Sequence, residues 1–583
     1  MAVKTTSSAW VTVAGLTLLV ILGGFLRLYH LEGKSITHVE MYVPGIRLPR
    51  GISVPEERLT LLKVLTSTLN SDTHPPAYYM MMWAWTKCFG TSATSLRLPS
   101  ALLGTACIPL VFWLGALTRQ TAAGWIAAAL MAVNGYQVFW SQVARMFTLA
   151  CFLGLLATIL LLRLARQSHD SRSLQLLYVM VVLVGLCTHV FFWLILAAHM
   201  LWTFLSGRNK QAMPGALKVQ FLVLILGSPL LAVSAYQTGN TLARLSTSVL
   251  VYVREFLQFS FVFPLTGYST GVYPDHGTIL MVDDPHLTVS RWLFVLLSVF
   301  LFAAGTYSVA QTTSSDGELL NDAGGPSSKA WLLACGLGIL AILLFIVIAR
   351  AFAGPRPSSV LRSTGLMTAL PLLFLLLAIT VKRHWDWLAS RVSIRLPVGD
   401  QALILTLAVV PFFALSIISL FKPIFNARGM LPLCSYLNLI LAAGVARFSH
   451  HRAVFILMLA AVGIAHYSGL KEYAHMSAGR ADYKAFAAAL VPHVESTDLV
   501  FLHPEFYSTP LFFYMTSGWD RVVGRDYEVA SHDPRHTRIW ALWFYNYESQ
   551  LPAPMEDALS SYHPVQIVQA PGGQAVLYVR NSF

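Results

Sequence analysis

Charge is what this sequence has least of. Of its 583 residues, 11% are Asp, Glu, Lys or Arg, where a soluble domain carries about 25%. Less than half the usual charge cannot clothe a mainly aqueous surface, so an ordinary soluble enzyme is excluded. Cysteine is scarce as well. Cys88, Cys107, Cys151, Cys187, Cys335 and Cys434 all sit in or at the ends of apolar segments. Their spacing suits neither a disulfide framework nor a metal site, and small core residues is the simpler reading. A Gly-rich phosphate loop is absent as well. Internal repeats are absent too, which excludes solenoids and propellers.

What fills the chain instead is apolar: 56% of residues are hydrophobic. Runs long enough to cross a hydrocarbon core of about 30 Å recur along it. They fall near 9–28, 97–117, 122–140, 146–163, 174–189, 191–206, 218–236, 289–310, 329–351, 364–381, 401–421, 430–448 and 453–469, about thirteen crossings. The first follows Lys4 and lacks a small-residue cleavage site, so it reads as a retained span. The net charge of +13 belongs to short loops, not to a nucleic-acid surface. Arg119, then Arg163, Arg166 and Arg172, then Arg208 and Lys210, then Lys382, Arg383, Arg391 and Arg395, then Arg447 and Arg452 lie in alternate loops. The positive-inside rule makes that side cytoplasmic. The residues from 470 onward then lie outside.

The stretch 77–89 is apolar but too short for an untilted span of about 20 residues, and reads as an interfacial or re-entrant helix. Two long connections face outward, 29–96 and 237–288. Within the second, residues 251–264 (VYVREFLQFSFVFP) read as an interfacial helix. Inside lies the Ser/Gly/Asp-rich linker 312–328. From about 468 the pattern changes. Residues 482–494 have helical periodicity, 499–502 and 575–579 read as buried strands, and another helix falls near 507–516. The expected architecture is an all-α polytopic membrane domain over 1–469, followed by a small outward α/β domain over 470–583.

The first outer loop gathers the chemistry. It holds His38-Val39-Glu40-Met41-Tyr42, Glu56 and Glu57, then Asp72-Thr73-His74-Pro75-Pro76-Ala77-Tyr78-Tyr79, and then Arg97-Leu98-Pro99-Ser100. A carboxylate there suits removal of a proton from an acceptor hydroxyl, and cations suit a leaving phosphate. Each residue has a plainer reading. Arg97 pairs with a loop carboxylate and is structural; His74 caps the helix that Pro75 starts; Arg145 snorkels to headgroups; Arg428 has the same status; His189 is a buried, satisfied histidine. His38 and Glu40 lack a third ligand at metal-binding spacing, so neither a metal nor another cofactor is expected. Asp283-Asp284 and His450-His451 read as loop and turn.

The motif His74-Pro75-Pro76-x-Tyr78-Tyr79, followed by Arg97-Leu98-Pro99-Ser100, resembles the GT-C glycosyltransferases. The nearest branch is bacterial and protein O-mannosyltransferase-like or aminoarabinose-transferase-like. Tyr136-x-x-Phe139-Trp140-Ser141-Gln142-x-x-Arg145-Met146, Thr188-His189-x-Phe191-Phe192, Arg428-x-x-Leu431-Pro432 and Asp482-Tyr483-Lys484-Ala485 resemble later segments of that family, in order.

The resemblance implies an inverting transferase in a bacterial inner membrane. Its donor would be a polyprenyl-phosphate sugar, and its acceptor a periplasmic glycan, lipid or protein. It implies Glu40 or Asp72 as base, with His74, Arg97, Arg145 and Arg428 at the donor phosphate. His38, Tyr42, Tyr78, Tyr79, Gln142 and His189 would line the substrate site. One departure stands out: the family's Asp-Glu pair after the first span reads Val39-Glu40 here. An inactive relative that binds lipid-linked sugar is therefore one alternative, and a transporter of lipid-linked saccharide another. A transporter should place ionisable groups within its spans, and few are found there.

Overall fold

The computed structural model describes residues 4–46, 60–71, 74–166, 171–206, 213–242, 297, 300–306, 400–421, 427–475, 482–503, 508–515, 522–523, 526–544, 550–570 and 573–581. The expected spans at 329–351 and 364–381 lie outside these residues. So do most of 289–310, the interfacial helix at 251–264 and the linker at 312–328.

Helix α1 (Lys4–Leu28) leaves Trp10, Val11, Leu18, Ile21 and Phe25 more than half exposed. Such a continuous apolar face needs a solvent other than water, and hydrocarbon supplies it. Among the described residues, the helices beyond α1 long and apolar enough to cross a membrane are α4 (Ala93–Leu117), α7 (Phe147–Arg166) and Leu431–His450, the last containing α12 (Leu431–Ala446). Helices α8 (Arg172–Leu186), α9 (Phe192–Ser206), α10 (Met213–Leu242), α11 (Asp400–Phe421) and α13 (Arg452–His475) contribute shorter apolar stretches. The protein is a mostly helical membrane protein.

The expected continuous span at 122–140 is broken. It forms α5 (Thr121–Val133) and α6 (Gly135–Ser141), bent by 56°. The cause is Asn134, which takes extended backbone angles and accepts the Gln137 N–H on its side chain at 3.0 Å. That cap ends one helix and starts the next. Arg27 locks the break in place. It is fully buried and donates to the carbonyls of Gly23, Met131 and Ala132 and to Ser141 Oγ. Helix α4 is the central rod, packed against α1, α5 and α7. Its approach to α5 depends on glycine: a Cβ on Gly115 would lie 2.5 Å from Gly124 Cα. Small residues at such crossings let membrane helices close without gaps.

Two shorter helices sit before α4: α2 (Leu61–Ser71) and α3 (Ala77–Phe89). After α13 the chain builds a five-stranded sheet ordered β2-β1-β3-β5-β4. Its strands are β1 (Leu499–His503), β2 (Val522–Val523), β3 (Arg538–Phe544), β4 (Tyr562–Ala570) and β5 (Gly573–Arg580). The β1–β2 and β1–β3 pairs are parallel, and the others antiparallel. Alternate residues feed two cores. Val500, Leu502, Trp540, Leu542 and Phe544 pack under α14 (Tyr483–Leu490) and α15 (Ser508–Tyr514). Leu499, Phe501, Ile539, Ala541 and Trp543 pack on the opposite face.

Candidate active site

The site is assembled around one carboxylate. Residues His38–Tyr42 form a single 3-10 turn, and Glu40 within it is fully buried. Its Oε1 accepts from Arg97 Nε at 2.8 Å and from the Ala144 N–H at 2.9 Å. Its Oε2 accepts from Arg97 Nη2 at 2.8 Å, the Thr37 N–H at 2.9 Å and Thr37 Oγ1 at 3.2 Å. Burial pushes this carboxyl up, but the Arg97 charge and the converging donors outweigh it and hold it below its ordinary value.

Arg97, in the second turn of α4, is equally committed. Nη1 donates to the carbonyls of Leu31 and Lys34, and Nη2 also to that of Ser35. A guanidinium has five N–H donors. Three carbonyls and two carboxylate contacts use all five. The pair thus staples the loop after α1 to α4 and to the turn between α6 and α7.

Arg145 lies in that same turn and is 6% exposed. Its Nη1 donates to the Val39 carbonyl and to Tyr79 Oη, both at 3.1 Å. Its guanidinium carbon stands 6.0 Å from the ring of Tyr42, which is itself well exposed. Arg145 therefore sits between the buried staple and the open surface at Tyr42. Val39, where the resembled family has Asp, is buried.

Helix α3 supplies the next wall. Pro75 and Pro76 precede it, and its first N–H, on Ala77, donates to the Cys187 carbonyl at 2.8 Å. That bond seats α3 on the α8–α9 turn and brings His74 within 6.0 Å of His189, centroid to centroid. Tyr78 and Tyr79 are buried and meet edge-on. His189 is enclosed by Phe147 and Phe191 at 5.6 and 5.0 Å. Its Nδ1 accepts the Phe191 N–H at 3.2 Å, so the neutral ring carries its proton on Nε2. Gly429 closes the group: a Cβ there would fall 2.9 Å from His189 Cε1. The backbone beside Arg428 therefore abuts His189, although the Arg428 side chain is outside the described residues.

The structure brings Glu40, Arg97, Arg145, Tyr42 and Tyr79 into one group, and His74 and His189 into a second joined to it through α3. Gln142 is elsewhere employed: its Nε2 caps α1 by donating to the carbonyls of Leu26, Arg27 and Tyr29 at 3.1, 3.2 and 3.0 Å. The His38 side chain and Asp72 lie outside the described residues, as do Glu56 and Glu57. Among the described residues no cluster of three or more His, Cys, Asp or Glu could hold a metal.

Sequence reasoning missed one support entirely. The Tyr514 hydroxyl, from α15, accepts the Ile36 N–H at 2.7 Å. Ser35 Oγ donates to Asp482 Oδ1 and accepts the Lys484 N–H. The C-terminal sheet unit thus grips Ser35 and Ile36, just before the Glu40 turn. The same Asp482 oxygen caps α14 through the Ala485 N–H at 3.1 Å. An Asp followed by a helical run was the visible half of that signal.

Residues 73–232 match the family model described as dolichyl-phosphate-mannose-protein mannosyltransferase. The matched segment contains His74, Arg97, Arg145 and His189, but neither Glu40 nor Arg428. Among solved structures, the archaeal oligosaccharyltransferase AglB from Archaeoglobus fulgidus, in complex with an inhibitory peptide and a dolichol-phosphate, is similar at a TM-score of 0.46 and 12% identity. That match covers 99% of this chain and 75% of that one. ArnT from Cupriavidus metallidurans bound to undecaprenyl phosphate is similar at a TM-score of 0.39 and 14% identity, over 98% of both chains. No curated protein sequence matches the chain. The matched segment spans less than a third of the chain and contains the motifs His74-Pro75-Pro76 and Arg97-Leu98-Pro99-Ser100, which resemble those of the GT-C glycosyltransferases.

Proposed function

We propose that this membrane protein is a glycosyltransferase that moves a sugar from a polyprenyl phosphate to an acceptor on the outer side of a bacterial inner membrane. In this reading the chain crosses about thirteen times and its C-terminal sheet unit is periplasmic. The acceptor hydroxyl attacks the anomeric carbon opposite the phosphate. The bond from that carbon to the phosphate oxygen breaks with inversion, and the polyprenyl phosphate leaves with the electron pair. A carboxylate takes the hydroxyl proton.

The carrying observation is the position of Arg145, fixed between the buried staple and the exposed Tyr42. A guanidinium so placed can neutralise a phosphate that arrives from the membrane surface. His74 and His189 form the neighbouring group, joined to it through α3, and Arg428 precedes Gly429 in the segment that abuts His189. Glu40 and Arg97 serve differently in this proposal. With both carboxylate oxygens and all five guanidinium donors occupied, they position the turn and touch no reacting atom. The base role then passes to Asp72, two residues before His74.

A second reading is favoured by one observation. Val39 is buried and Glu40 is fully engaged, so the His38–Tyr42 turn presents no open carboxylate. A relative that binds lipid-linked sugar without transferring it would look the same.

The test is transfer of radiolabelled hexose from a polyprenyl phosphate to membrane-extract acceptors by purified protein. Transfer by the wild type that falls by about 10²–10⁴ in Asp72→Asn, the scale of a lost general base, supports the proposal. Tight donor binding without transfer under any acceptor condition selects the binding protein. Transfer that survives Asp72→Asn removes that residue from the base role.

A further inference from the structure

Helix α4 runs from the candidate site at Arg97 to Leu117, about 30 Å away at 1.5 Å per residue, and α7 runs alongside it. At that far end lies a recess of about 450 Å³, lined by Leu117, Leu174 and Leu177 and by Arg163, Arg166, Ser171 and Ser173. Nothing in the proposed transfer reaction uses it.

The recess is divided in character. Leu117, Leu174 and Leu177 line its apolar part, and Leu177 is 48% exposed on the flank of α8. The other side is cationic and hydroxylic. Arg166 is already committed, to Asp400 in a salt bridge of 2.6 Å and to the Leu117 carbonyl. Its charge is balanced. Arg163 is not: among the described residues it makes no hydrogen bond or ion pair, and its guanidinium lies 4.5 Å above the ring of Trp113. That stacking holds the fork in one place while leaving its donors available. Ser171 and Ser173 hydroxyls stand opposite, 3.1 Å apart.

We propose that this recess binds the headgroup of an anionic phospholipid from the leaflet opposite the candidate site. A phosphodiester oxygen pair fits the free guanidinium fork, and the serine hydroxyls add donors. The acyl chains would follow the exposed leucines of α8 into the bilayer. A free soluble anion would have no use for that apolar flank, which is why the proposal commits to a lipid. It rests on the chain being embedded in a membrane and not on the transfer reaction. Basic recesses between helix ends on the cytoplasmic side are suited to anionic headgroups, and the basic loops place this end there.

The test uses the full-length protein in detergent with equimolar dioleoyl-phosphatidylglycerol and dioleoyl-phosphatidylcholine, read by native mass spectrometry. The wild type should retain the anionic lipid about fivefold over the zwitterionic one, the scale of one arginine at an anionic surface. Arg163→Gln should bring the ratio to near one. Ser173→Glu is the second variant, because an acidic residue in the first turn of α8 favours the helix while repelling an anion. It should abolish the preference with thermal unfolding unchanged. Equal retention of both lipids by the wild type overturns the proposal, as does a preference that survives both variants. Displacement of the retained lipid by millimolar inorganic phosphate assigns the recess to a soluble anion and overturns it too.

Discussion

Replacing Glu40 by Gln preserves shape and removes charge, and the surrounding donors set the consequence. Oε1 faces Arg97 Nε and the Ala144 N–H; Oε2 faces Arg97 Nη2, the Thr37 N–H and Thr37 Oγ1. Whichever way the amide is turned, its NH₂ meets at least two donors, and Arg97 keeps a buried charge opposite a neutral group. Breaking a buried ion pair from one side costs about 3–5 kcal/mol. Arg97→Met should cost as much, since it strips the carbonyls of Leu31, Lys34 and Ser35 of their donor. The two changes together should cost less than their sum by about 3 kcal/mol, because each single variant already pays the full loss of the pair. Reversible denaturant unfolding in detergent, run as a double-mutant cycle and beside the transfer assay, reads this directly. An Glu40→Gln protein as stable as the wild type but devoid of transfer would refute the reasoning and make Glu40 the base itself.

Acid should expose the same carboxylate. Its folded value lies below the ordinary 4.5, so its stabilisation is fully present above that value and is lost as pH falls through the folded one. Thermal stability should hold level from about pH 8 to 5 and drop below it in the wild type, while Glu40→Gln lacks that component. Tyr514→Phe removes the acceptor for the Ile36 N–H and should loosen the grip on the Glu40 turn by about 1–3 kcal/mol, seen as faster proteolysis between the sheet unit and the membrane helices. Arg145→Gln should raise KM for the polyprenyl-phosphate donor about tenfold, as expected for one lost charge-assisted contact; an unchanged KM removes Arg145 from the donor site. Gly115→Leu should separate α4 from α5 and unfold the protein at lower temperature, since even a Cβ there meets Gly124 Cα.

Much of this was legible in the residues because apolar patterning and chain punctuation report on local structure. The α3 helix, the buried β1 and β5 strands and the helix after Asp482 all announce themselves by run length and periodicity. Arg97 was open to both a phosphate role and a carboxylate pairing, and only the distances show the pairing with Glu40. The break at Asn134 was hidden because the flanking residues are apolar on both sides, so hydropathy reads one span where a cap makes two helices. β3 and β4 went unread for a related reason. Tryptophan and phenylalanine in 538–544 serve strand and helix alike, and the polar residues in 562–570 dilute the alternation. Ser35, Ile36, Asp482 and Tyr514 were beyond reach, since their meeting depends on tertiary closure.

That closure has a consequence for biosynthesis. Ser35 and Asp482 are 447 positions apart, yet they clasp the same strap. At roughly 5–20 residues per second, the ribosome reaches Asp482 some tens of seconds after it has released the strap. During that interval the Glu40 turn has its arginine staple but not its outer brace. A chain stalled or cleaved before α14 would insert into the membrane with an unbraced turn. The sheet unit, translated long after Ser35, therefore acts as a completion check on the loop that carries it.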